Sequence, residues 1–192
     1  MNNTTAAVSS SQLIKPSIVS MTQRHHGLVK KYADTPQLAW VTDMAVTGQS
    51  NTEIHDALHV DVEVAGLNIS LGVHPAVGGD GDAPVPGELL CAALASCLDS
   101  TIRIIANRLS VELTHLQVSV SAEIDVRGTL KFNPAVPVAF QKMHVSVEMQ
   151  TLAGTKPELE SALFNAAEAS CVVMQTLKHP PQISTQFHAG SV

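Results

Sequence analysis

The sequence predicts an α+β fold built mainly on antiparallel sheet. Short runs of alternating apolar and polar residues come in neighbouring pairs, as hairpins do. One long stretch, residues 86–108, abandons alternation for helical spacing. The elements follow roughly as three strands, a buried helix, two strands, a helix and a last strand, and hairpins dominate that order.

The first 20 residues are polar and rich in Ser, Thr and Asn. They lack the charged start and apolar stretch of a secretory signal. No acid precedes Asp34, a bias shared with organelle transit peptides, but a disordered or wrapping arm is the simpler expectation. The arm is set at residues 1–27 and a single domain at 28–192.

From about Leu38 the chain alternates, with Trp40, Thr42, Met44 and Val46 on one face of a strand. Leu58, Val60, Val62 and Val64 form the next run, and Leu67, Ile69, Leu71 and Val73 the one after. Only Ala65-Gly66 separates these two runs, which predicts a hairpin. Residues 78–86, GGDGDAPVP, read as a flexible loop. Pro86 then suits the first turn of a helix, and Glu88 suits its positive end. That helix is apolar almost all round as far as Leu98, so it needs cover on most sides. A dimer sharing helices would supply it.

Val118, Val120, Ala122, Ile124 and Val126 make a further strand, and Met143, Val145, Val147 and Met149 its neighbour, with a turn-rich stretch at 132–137 between them. Thr155-Lys156-Pro157-Glu158 reads as a capping box with proline inside the first turn. The helix behind it lines up Leu159, Leu163, Ala167, Cys171 and Met174. Pro180-Pro181 is a break, and Ile183, Thr185 and Phe187 are expected to form a last strand.

Composition narrows the function. The 192 residues are 45% hydrophobic, 15% charged and only 3% aromatic, so the core is built from Ala, Val, Leu and Ile. Net charge is −6, and no Lys/Arg cluster exceeds Lys30-Lys31. A nucleic-acid partner would need a basic stripe and stacking aromatics, and neither is present. No uninterrupted apolar run approaches the ~18 residues of a membrane span, so no membrane partner is expected. Three cysteines in a chain this long do not make a disulfide scaffold and fit a reducing compartment.

Cys97 and Cys171 are the main chemical candidates, each on the apolar stripe of its own helix. If the stripes face one core, the sulfurs can meet. One thiolate can then be oxidised to sulfenic acid and the other condense with it to a disulfide. The competing reading is two small buried hydrophobes. Cys91, about 240° around the helix from Cys97, is structural in either reading. Metal binding has no support: there is no CxxC or HExxH, and the nine His are scattered. His25 and His26 fall in the arm, and His59 and His74 read as surface residues. No GxSxG elbow or phosphate loop is present. Glu88 reads as a helix-start acid at least as well as a catalytic one.

Residues 86–97, PGELLCAALASC, closely resemble the central helix of the OsmC/Ohr family, the osmotically induced and organic hydroperoxide resistance proteins. The strand 118–126 ending in Arg127-Gly128 is similar to the family's post-helix strand. Ala167-Glu168-Ala169-Ser170-Cys171, followed by Leu177, resembles its second cysteine helix. The resemblance covers about residues 38–189. It implies an OsmC-like fold: an intertwined homodimer with antiparallel sheets around two long central helices. It also implies a cytoplasmic thiol peroxidase that reduces organic hydroperoxides, and hydrogen peroxide less well. By motif position Cys97 is the peroxidatic nucleophile, Cys171 the resolving cysteine, and Glu88 the acid that orients an activating arginine. No metal or organic cofactor is implied; an external dithiol re-reduces the enzyme. The family's arginine comes from the hairpin before the central helix, yet no arginine lies between Leu28 and Ile102 here. The substitutes are Arg24 from the arm, Arg103 or Arg108 from a partner helix, or a His such as His55. The alternative is a non-peroxidatic member acting as a small-molecule binding or thiol redox-sensing dimer.

Overall fold

Apolar residues every four positions make one helix the axis of the molecule. The computed structural model describes residues 19–48 and 55–190. Helix α2 (Pro86–Leu109) buries Leu94, Leu98, Ile102 and Ala106 along one line. Pro86 opens it, Glu88 Oε2 accepts the Val85 N–H at 3.0 Å, and Ser110 closes it in the left-handed conformation at φ 56°. Strands β4 (Leu113–Glu123) and β5 (Lys142–Thr151) pair antiparallel and lie across it. Their register sets Leu116 opposite Met149, Val118 opposite Val147 and Val120 opposite Val145. Those six pack onto the core, while Ser119 and Ser146 face outward. Helices α4 (Pro157–Ser170) and α5 (Val172–Lys178) cover α2 from another side. Leu163, Ala167 and Cys171 supply the deepest part of that contact.

A second sheet precedes α2: β1 (Ala45–Thr47), β2 (His59–Val64) and β3 (Leu67–Gly72), in the order β1-β2-β3. Val64 pairs with Leu67 across a turn in which Ala65 and Gly66 take φ 51° and 79°, the two-residue hairpin expected. This sheet makes no extended contact with α2, α4 or the β4–β5 sheet. Its ties are local, such as Gly72 N–H to Pro84 O at 2.8 Å.

Helix α1 (Met21–Asp34) was not expected, and the division at 27/28 falls inside it. Residues 1–18 of the arm lie outside the described residues. Ser20 caps α1, and Asn107 of α2 fastens it: Nδ2 donates to Val19 O at 3.0 Å, and Oδ1 accepts from Met21 N–H at 2.8 Å.

Four expectations are corrected. Residues 40–44 form no strand, because β1 starts at Ala45 opposite Val64, where its partner β2 ends; Trp40 is exposed. Ile124 and Val126 leave β4, because Asp125 caps a short helix α3 (Val126–Thr129) by accepting from Arg127 N–H. The capping box does not form: α4 is capped at Lys156, one residue too late, and Thr155 Oγ1 donates back to Leu152 O at 2.8 Å. Ile183, Thr185 and Phe187 are exposed and pair with no strand among the described residues. Finally, α2 has the length and mean hydropathy, 1.7, of a membrane span. Glu88, Asp99, Arg103 and Arg108, together with its buried line, give it the pattern of a core helix.

Candidate active site

The four-residue rhythm of α4, Leu159, Leu163, Ala167, delivers Cys171 into the core with none of its surface exposed. The helix breaks there. Cys171 takes φ −74°, ψ 108° and is the last cap of α4 and the first of α5. The break is stitched by Gln175 N–H to Cys171 O at 2.9 Å and Gln175 Nε2 to Glu168 O at 3.0 Å.

Cys97 lies three positions from Leu94, at the margin between the buried line of α2 and an exposed strip of Ala93, Ser96 and Ser100. It is half-buried. The hydroxyls of Ser100 and Thr101 donate to its carbonyl at 3.0 and 2.7 Å. The structure therefore brings the two predicted cysteines to one core: Cys97 packs against the cluster that contains Cys171, near enough to bear on its thiol, and all three cysteines are free. Burial pushes the Cys171 thiol above its ordinary 9.0. Backbone N–H groups of Met174 and Val173 oppose that shift, while the proton given to the Cys97 sulfur adds to it. Burial thus favours the protonated form of Cys171.

Glu88 is not part of this pair. Nine residues of helix set it about 13.5 Å along the axis and half a turn away from Cys97 of the same chain. It is exposed and caps α2. Nor does an arginine reach the sulfur. Arg103 pairs with Asp99 and Arg127 with Asp125, while Arg24 and Arg108 are exposed. Among the described residues no cation bonds to Cys97, His55 included.

A separate feature was missed by sequence reasoning. A cavity of about 650 Å³ opens at the N-terminal end of α2, lined chiefly by apolar residues such as Val60, Val85, Ile124 and Phe140. At its rim His59 Nδ1 meets Asp56 at 2.9 Å, and Nε2 meets Asp82 at 3.1 Å. Asp56 first, then Asp82, raises the His59 pKa above 6.5. The separation of 23 positions from His59 to Asp82 hides that contact from any periodicity. Among the described residues no group of three or more His, Cys, Asp or Glu is placed to hold a metal ion.

The model of the family OsmC-like protein matches residues 79–186, more than half of the chain and both cysteine helices. The chain belongs to the OsmC-like family. Solved structures agree on the fold. An OsmC-like protein of Mycoplasma pneumoniae superposes with a TM-score of 0.58 at 11% identity, over 73% of this chain and 89% of that one. One of unknown function from Vibrio cholerae gives 0.58 at 14%, over 71% and 94%. An organic hydroperoxide resistance protein of Legionella pneumophila gives 0.53 at 22%, over 72% and 90%. At such identities the likeness is one of fold. No curated protein matches the chain. More than a quarter of this OsmC-like chain has no counterpart in these three structures, each of which is matched over most of its length.

Proposed function

We propose that this OsmC-like protein is a thiol peroxidase that reduces organic hydroperoxides, and hydrogen peroxide less well, in the cytoplasm. One observation carries the reading: Cys97 and Cys171 come from separate helices and pack into the same core cluster. The Cys97 thiolate attacks the terminal peroxide oxygen. An S–O bond forms, the O–O bond breaks, and the alkoxide takes a proton and leaves as alcohol. Cys171, beside the resulting sulfenic acid, gives up its proton and closes the disulfide, releasing water. An external dithiol restores both thiols. The apolar neighbourhood of Cys97, with Leu94, Leu98 and Met174 in the same cluster, favours a substrate with an apolar tail.

The working unit is a homodimer. The exposed strip Ala92, Ala93, Ser96 and Ser100 admits a close second helix, and among the described residues no helix packs extensively on the β1-β2-β3 sheet. If two α2 helices cross antiparallel about a two-fold axis near Ala92 and Ala93, Glu88 of the partner subunit comes level with Cys97. A catalytic role for Glu88 therefore requires the dimer.

The absence of a cation beside Cys97 among the described residues favours a second reading, a thiol redox-sensing or small-molecule binding dimer of the same fold. An unassisted thiol in apolar surroundings ionises reluctantly. Stopped-flow reduction of cumene hydroperoxide against hydrogen peroxide separates the two. Peroxidase function requires fast turnover that Cys97→Ser abolishes and a mass-mapped disulfide that Cys171→Ser prevents. Slow, cysteine-independent peroxide loss would leave the sensor.

A further inference from the structure

The two sulfurs of the pair differ in access, and this assigns the direction in which their disulfide is opened. Resting on the peroxidase reading for its place in a cycle, we infer that an incoming thiol attacks Cys97, with Cys171 as the leaving group. Displacement at a disulfide needs an approach in line with the S–S bond. Cys171 has no exposed surface, packed with Leu163 and Ala167 in the core, whereas Cys97 is only half-buried and keeps part of its own surface open.

Leaving-group chemistry alone points the other way. The lower-pKa thiol leaves faster, and burial raises Cys171. That preference is graded, a severalfold change in rate per pKa unit, whereas a sulfur with no exposure offers no approach at all. Access therefore decides. Two backbone donors, the N–H groups of Val173 and Met174, already face the Cys171 sulfur and reduce the cost of its departure as thiolate.

The reductant thiolate forms a bond to Cys97 Sγ, the Cys97–Cys171 bond breaks, and its electron pair leaves on Cys171, which takes a proton from water. The second thiolate of the reductant then attacks its own sulfur in the mixed disulfide. This releases Cys97 as thiolate and the reductant as disulfide, so two electrons have entered the protein.

The test uses the full chain carrying Cys91→Ala, oxidised with diamide so that no peroxide step is involved. Glutathione is added, the mixture is acid-quenched and alkylated, and peptides are mapped by mass. Glutathione is expected on Cys97 and alkyl label on Cys171, in at least tenfold excess over the reverse. Equal or greater labelling of Cys171 by glutathione overturns the inference, and so does failure of diamide to join the two cysteines. A second measurement treats Cys171→Ser and Cys97→Ser, both carrying Cys91→Ala, with dithiobis(nitrobenzoate) and follows release of thionitrobenzoate by the one remaining thiol. Release by Cys97 is expected at least thirtyfold faster, and comparable rates overturn the inference. Correct adduct placement without peroxide turnover would refute the peroxidase alone; turnover with the adduct on Cys171 would refute this inference alone.

Discussion

The β4–β5 sheet and the β1-β2-β3 sheet both alternate cleanly, yet only the first is covered within the chain. Val118, Val120, Val145 and Val147 rest on α2, which is closed on another side by Leu163 and Ala167. In the second sheet only Val62, Leu71 and Gly72 are buried, and Val46, Val60, Val64 and Leu67 stay exposed. Alternation says which residues share a face. It does not say whether the cover for that face comes from the same chain. The α2–β4–β5–α4 half carries its own stability, and the β1-β2-β3 half borrows it, under the proposed dimer from a second copy.

The difference can be broken at its strong end. Ile102→Ala removes a fully buried side chain from the line of α2 and is expected to cost about 2–5 kcal/mol, read from urea denaturation. The junction between the halves comes next. A Cβ on the buried Gly128 would lie 2.7 Å from both the Val136 and Pro137 carbonyl oxygens. Gly128→Ala is therefore expected to cost about 1–3 kcal/mol in the same assay. Ala93→Arg puts a charge on the exposed strip. It is expected to weaken a dimer at least tenfold, about 1.4 kcal/mol, by sedimentation, and to strip amide protection from β1, β2 and β3 while sparing β4 and β5. Loss of protection across all strands alike would contradict the division.

The smallest effect sharpens the comparison at the hairpin. His59, raised above 6.5, contributes its tie fully below 6.5 and loses it as pH climbs through the raised value. Asp56 and Asp82, lowered below 3.8, contribute above 3.8 and lose it as pH falls through their depressed values. The tie is complete only between those limits, and salt screens it. Asp82→Asn is expected to bring the His59 midpoint down in an NMR titration while leaving the urea midpoint nearly unmoved.

What was legible follows the same divide. Regular spacing within one element announced α2, the β4–β5 pair and the hairpin at Ala65-Gly66. The cysteine pair was legible because Cys171 continues the rhythm of Leu159, Leu163 and Ala167. Features set by a neighbour were not. Residues 40–44 alternate like a strand but lie beyond the end of β2. Ile183 and Phe187 alternate with nothing beside them. Thr155 has the right chemistry for a cap and sits one residue out of place. Helix α1 carries little apolar pattern and is held by a contact 86–88 residues distant.

That contact bears on synthesis. Asn107 leaves the ribosome 86 residues after Met21. At roughly 5–20 residues per second the interval is about 4–17 s. Throughout it α1 lacks the side chain that ties its first turn to α2. The first described helix to be made must therefore wait for the middle of the chain before it is fastened.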